Sequence, residues 1–192
     1  MQMNDETRIA APREAVYAAL NDIEVLKASI PGCEEIEKTS DTEMTATVVL
    51  KVGPVKAKFK GAVTLSDLVP PEGYTITGEG KAGPAGHAKG GAKIQLIEDG
   101  DGTILKYQVE ASIGGKLAQL GSRLIDSTAK KLAGVFFANF EEQVLALHPA
   151  AAEAAPAPAA PAPAESKGIS PTAWMLGAGA VAAVILYLLA GD

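Results

Sequence analysis

Cysteine and histidine are nearly absent from this 192-residue chain, and each absence removes a class of chemistry. The single Cys33 excludes an intramolecular disulfide and agrees with a reducing compartment. His87 and His148 are the only histidines, and neither has a cysteine or second histidine at metal-ligand spacing, so no metal site is expected. With no base spaced to activate it, Cys33 reads as a buried thiol rather than a nucleophile. Cationic excess is missing too: residues 1–148 hold sixteen Lys and Arg against twenty Asp and Glu. Phosphate binding rests on clustered cations, so nucleic acid is not expected as a partner. Residues 1–8 are polar and acidic and lack the apolar core of a secretory signal, so no export signal is expected there.

Charge of either sign is absent from residues 168–191, and residues 174–190 are apolar throughout. About 20 residues at 1.5 Å each cover the roughly 30 Å hydrocarbon core of a bilayer. Residues 168–192 therefore read as a single transmembrane tail anchor, with Trp174 and Tyr187 placed as interfacial aromatics. Gly179 and Ala183 form a small-xxx-small pair through which two anchors would make a homodimer. Lys167 precedes the span and Asp192 alone follows it, which places the rest of the chain on the cytoplasmic side. The expected location is the cytoplasmic membrane, single-pass, with the soluble domain in the cytoplasm. Residues 149–167 are an Ala/Pro tract that cannot build a core. Extended as polyproline II at about 3.1 Å per residue, such a linker reaches up to roughly 60 Å.

Residues 1–148 remain as one domain, and their patterning is that of an antiparallel sheet with one wet face. Val55, Ala57, Phe59, Gly61, Val63 and Leu65 alternate with Lys56, Lys58, Lys60 and Thr64. The same period of two runs through residues 88–96 and 105–113, and further strands are expected over residues 4–10, 33–39, 43–52 and 73–79. Two short helices follow Pro12 and Asp22, and a long helical pattern covers residues 116–147. Its apolar side is read as Leu117, Leu120, Leu124, Leu132, Val135, Phe136, Phe140 and Val144. That stripe must bury itself on the only large apolar surface available, the inner face of the sheet. Lys56, Lys58 and Lys60 read as a solvated strand face, with docking to anionic lipid or an acidic partner as the alternative. Glu34, Glu35 and Glu37 read as a solvated rim.

Many inward positions are small: Ala57, Gly61, Ala88, Gly90, Ala92 and Ala111. Either neighbours fill the space they leave or an apolar cavity remains. The candidate cavity wall is Phe59, Val63, Ile76, Leu96, Tyr107 and Val109 from the sheet with Leu124, Phe136 and Phe140 from the long helix. The Tyr107 hydroxyl needs a partner if buried, from backbone or from a ligand carbonyl. The segments 52–54 and 78–91 would form its rims. Gly78-Glu-Gly-Lys-Ala-Gly83 satisfies G-x-G-x-x-G but lies between two strands, so no helix N-terminus meets a pyrophosphate there.

The element order resembles the α+β helix-grip fold of the START and Bet v 1 (SRPBCC) superfamily, a curved antiparallel sheet wrapped around a long C-terminal helix. Within it, Ala28-Ser-Ile-Pro-Gly-Cys-Glu34, Lys51-Val-Gly-Pro-Val-Lys-Ala-Lys-Phe-Lys-Gly61 and the Gly-rich segment 78–91, together with a C-terminal anchor, are similar to the CoxG family, the G component of carbon monoxide dehydrogenase. The resemblance implies a non-catalytic accessory that recruits a molybdenum-containing dehydrogenase to the cytoplasmic membrane and couples it to the quinone pool. It implies no covalently bound cofactor, and a bound quinone or other membrane lipid as ligand. A pure recruitment adaptor with a filled core is the alternative, and hydrolase or cyclase chemistry in the cavity a third reading.

Overall fold

The computed structural model describes residues 1–148. The expected linker, tail anchor and anchor-mediated homodimer fall on residues 149–192, outside the described residues. Among the described residues no helix is long and apolar enough to cross a membrane.

Seven antiparallel strands form one sheet in the order β1-β7-β6-β5-β4-β3-β2. They are β1 (Gln2–Ile9), β2 (Cys33–Lys38), β3 (Glu43–Val52), β4 (Val55–Val69), β5 (Gly73–Lys81), β6 (His87–Asp99) and β7 (Gly102–Gly114). Strands β2 to β7 follow one another through hairpins, while β1 closes the far edge on β7. Between β1 and β2 come two short helices, α1 (Arg13–Leu20) and α2 (Ile23–Ser29). The Asp22 carboxylate caps α2 by accepting from the Glu24 and Val25 amides. The long helix α3 (Ser122–Leu147) ends the described chain. This is the expected α+β helix-grip arrangement, with α3 on the inner face of the sheet.

Period-two alternation places Phe59, Val63, Leu65, Ile76, Leu96, Leu105, Tyr107 and Val109 on that inner face, all buried. The two register shifts, between Cys33 and Glu35 and between Ser66 and Val69, bend the strands that carry them. Strand β4 runs on to Val69 rather than stopping at Leu65, because the shift absorbs the break in alternation.

The helix begins at Ser122, not at residue 116. Residues 118–120 form a 3-10 turn and Gly121 takes a φ of +85°, a left-handed geometry that separates this turn from α3. Its buried face is Ile125, Ala129, Ala133, Phe136, Phe137, Phe140 and Val144. Val135, read from sequence as apolar-side, is 39% exposed, and Leu124 and Leu132 are only half-buried. The true stripe is rotated towards the 125-129-133 ladder, whose alanines carry too little apolar weight to be noticed beside leucines.

Two side-chain hydrogen bonds tie the helical segments to the sheet and to each other. Thr103 Oγ1 donates to the Ala11 carbonyl at 2.7 Å, joining the β1–α1 connection to β7. Asn139 Nδ2 donates to the Ser29 carbonyl at 3.2 Å, joining α3 to the end of α2. Thr103→Val is expected to lose about 1–3 kcal/mol, because the Ala11 carbonyl stays buried without its donor; urea unfolding of residues 1–148 measures it. Gly32 holds a φ of +76° with its carbonyl accepting from the Val49 amide, and a Cβ there would run into the Val49 carbonyl oxygen. Gly32→Ala is therefore expected to destabilise more than Thr103→Val in the same assay, since strain and clash act together.

Candidate functional site

The register of the sheet brings the small residues into two adjacent rows. Ala46, Gly61, Gly80 and Ala88 lie opposite one another across β3, β4, β5 and β6. In the next row Val63, Gly78, Gly90 and Ala111 do the same across β4 to β7. Larger side chains bound this band on both sides, Val48 with Phe59 on one and Leu65, Ile76 and Val109 on the other. The sheet thus carries a transverse trough of glycine and alanine on its inner face.

The facing helix is small there too. Phe137 stands 6.2 Å from Tyr107, centroid to centroid. Moving two rows along β7 from Tyr107 to Ala111 covers about 13 Å at about 3.3 Å per residue. The same distance along α3 at 1.5 Å per residue is about nine positions, the interval from Phe137 back to about Ala129, and both Ala129 and Ala133 lie on the buried face of the helix. Small residues on both surfaces usually mean that the backbones touch. Here the α3 main chain runs closest to α2, and its backbone comes near the sheet at few points, β3 included.

The other half of the interior is filled by rings. Phe136 stacks on Phe140 at 5.6 Å, and Phe137 meets Phe136 edge-on at 4.9 Å and Phe140 at 6.1 Å. Tyr17 meets Tyr74 edge-on at 5.9 Å under the short helices. Burial pushes the Tyr74 hydroxyl well above its ordinary range, with nearby Tyr17 adding to the effect.

Of the nine candidate wall residues, Phe59, Val63, Ile76, Leu96, Tyr107, Val109, Phe136 and Phe140 are buried in one continuous cluster. Val63 lies within the band and Phe59, Ile76 and Val109 border it, while Leu96, Tyr107, Phe136 and Phe140 belong to the ring-filled half. Leu124 lies apart, half-buried over the β3–β4 turn, where a Cβ on Gly53 would come within 2.9 Å of its Cδ2. Ala129, Ala133 and Phe137 were missed by sequence reading, although their i, i+4 spacing was available as a signal.

Val55, Ala85, Ala111, Ile113, Leu120 and Leu132 are half-buried and pack against the core at the end where α3 begins. That end is framed by the β3–β4 turn, the β5–β6 connection and the segment from β7 to α3, joined by the Leu117 amide donating to the Ala85 carbonyl at 3.0 Å. It includes both rims expected from the sequence and is called the mouth below.

None of the eight band positions carries a titratable side chain. Burial raises the Cys33 thiol, which lies 3.5 Å from the Glu35 carbonyl oxygen. Glu34, Glu35 and Glu37 are exposed, and Glu34 pairs with Lys58 at 2.6 Å. Among the described residues no group of three His, Cys, Asp or Glu stands close enough to hold a metal ion. The segment after Gly78 continues as strand, then a 3-10 turn over Gly83–Ala85, then β6, so the glycine motif meets no helix. A groove of about 380 Å³ does open to solvent, but on the outer face, between Glu35, Glu37, Thr47, Lys60 and Lys81. Its charged walls suit water, whereas the inner trough is apolar.

Comparison with solved proteins gives the same architecture. A conserved protein from Geobacillus kaustophilus is 26% identical, with a TM-score of 0.72 over 76% of this chain and 96% of that one. A protein from Thermus thermophilus is 18% identical, with a TM-score of 0.59 over 77% and 99% of the two chains. The Zhui aromatase/cyclase from Streptomyces sp. R1128 shares the fold at 11% identity and a TM-score of 0.55, over 78% of this chain and 97% of its own. No curated protein matches the sequence. The family model for CoxG, described as the G component of carbon monoxide dehydrogenase, matches residues 6–145, nearly the whole described domain, and the chain belongs to that family.

Proposed function

We propose that the domain is a non-catalytic carrier that takes an apolar membrane lipid, a quinone by preference, into the trough beneath α3. It serves a molybdenum-containing dehydrogenase as a tethered accessory on the cytoplasmic membrane. The observation that carries this reading is the glycine–alanine band on the inner face of the sheet, with only alanines, Ala129 and Ala133, at two positions of the buried face of the helix. A quinone ring with an isoprenoid tail is nearly insoluble in water and crosses from bilayer to enzyme only in a shielded space. Burying each CH2 of such a tail is worth about 0.8 kcal/mol, so affinity needs no ionic contact. The apolar band offers no acid–base pair, which favours binding over catalysis. Membership of the CoxG family supports a dehydrogenase as the partner, and the uncharged stretch at residues 168–191 supports the tether.

A recruitment adaptor that binds only protein is the second reading, favoured by the tight packing of Phe136, Phe137, Phe140 and Tyr107. Two measurements separate them. Organic extraction of purified residues 1–148 is expected to yield a prenylated quinone in near-stoichiometric amount; recovery of none, with the enzyme still recruited in cells, supports the adaptor. Ala88→Leu and Ala111→Leu add bulk at the band. In a filled core each would cost about 1–3 kcal/mol, whereas a hollow trough predicts a change in stability below that range together with loss of quinone uptake, read by thermal melts and by titration with a short-chain ubiquinone.

A further inference from the structure

The charges of the domain are sorted along the strands. Three connections build the mouth: residues 50–57, 80–89 and 112–125. Together they hold six Lys and Arg and not one Asp or Glu, whereas farther along the strands Lys58 pairs with Glu34, Lys89 lies opposite Glu79, and Lys60 and Lys81 share a groove with Glu35 and Glu37. Three hairpin turns form the opposite end, at residues 39–43, 66–73 and 98–102, and these hold seven acids and no cation. Arg8 and Arg13 reach that end only as partners of Asp99, Asp101 and Glu98. A chain with a net charge of −6 therefore presents one cationic end, and it is the end with the half-buried apolar residues.

Folding does not call for this arrangement. Lys51 lies directly opposite Lys56 in the β3–β4 hairpin. Like charges facing each other across strands weaken a sheet. The tips beyond the lysines are small and uncharged: Gly53 and Pro54 in one turn, Gly83 and Pro84 in the next, Ala118 and Gln119 in the third, all exposed. Neutral tips with cations set one to three residues behind them match an anionic lipid surface. The tips meet the interface while the ammonium groups reach the phosphates.

We infer that the domain docks mouth-first on anionic phospholipid, through Lys51, Lys56, Lys116 and Arg123 around the opening. The inference rests on the carrier reading for its purpose, because a ligand that leaves a bilayer needs the opening turned towards it. It also sets an orientation: the acidic turns point away from the membrane. Helix α3 runs about 39 Å from the mouth to the acidic end, from 26 residues at 1.5 Å. A linker of about 60 Å reach, as expected from the composition of residues 149–167, is long enough to return past the domain to the bilayer.

The test uses residues 1–148, the span that makes up 96–99% of solved chains of this fold and so folds alone. Co-sedimentation is measured with vesicles of phosphatidylcholine alone and with about 30% phosphatidylglycerol, at low and high salt. Binding is expected only with phosphatidylglycerol and is expected to fall with salt. Combining Lys51→Gln, Lys56→Gln and Lys116→Gln should weaken it by roughly fivefold per residue, on the order of a hundredfold in all. Lys38→Gln, Lys93→Gln and Lys106→Gln together remove the same charge elsewhere and should weaken it by less than about tenfold. Equal losses in the two triples, or binding indifferent to phosphatidylglycerol, would overturn the inference. So would a mouth triple that keeps vesicle binding but no longer retains the dehydrogenase, since the cations would then serve an acidic protein. Quinone content is read by extraction without vesicles: quinone present with charge-independent sedimentation defeats the docking alone, and quinone absent with charge-dependent sedimentation defeats the carrier reading alone.

Discussion

The ring cluster that joins α3 to the sheet is the constraint from which the rest of the domain follows. Phe136, Phe137 and Phe140 stand on one half of the helix and pack on Tyr107 and one another. Rings of that size act as a wedge. A rigid helix held off by a wedge at one half cannot settle onto the sheet at the other, even where the residues between are only glycine and alanine. On the carrier reading, room for a ligand beneath Ala129 and Ala133 is a consequence of the large side chains packed in the other half of the interior.

On the carrier reading, binding suits this scaffold better than catalysis. Catalytic groups need positions fixed to a fraction of an ångström by packed neighbours, whereas the band of glycine, alanine and Val63 carries no polar side chain to aim. What it offers is apolar surface of low relief, suited to a flexible isoprenoid chain. The mouth completes the design through charge. Its lysines lie on the wet face and its apolar residues on the dry one, so one end of the molecule carries both the attraction to a surface and the route inward.

Much of this was legible in the sequence because period-two alternation runs through most of β4, β6 and β7. Strand faces, and with them Phe59, Val63, Ile76, Leu96, Tyr107 and Val109, followed directly from it. The rows of small residues did not, since register between strands depends on hairpin lengths and bulges that no single strand reveals. The start of α3 was misplaced because Leu117 and Leu120 continue the apolar spacing through a 3-10 turn, and only the geometry of Gly121 marks the break. Leu124 was assigned to the wall for the same reason: its spacing fits the stripe, yet its side chain covers the turn at Gly53. Charge sorting was also hidden, because cations that meet at the mouth come from three stretches far apart in the chain.

Diffraction from xenon-pressurised crystals of residues 1–148 addresses the hollow interior most directly, since dry apolar cavities take up xenon. If the interior is as described, xenon density appears between Ala129, Ala133 and the band formed by Gly61, Gly78, Gly80 and Gly90, unless a native lipid already fills the same place. Neither xenon nor lipid there, with the alanine methyl groups in van der Waals contact with the strand backbones, would contradict it.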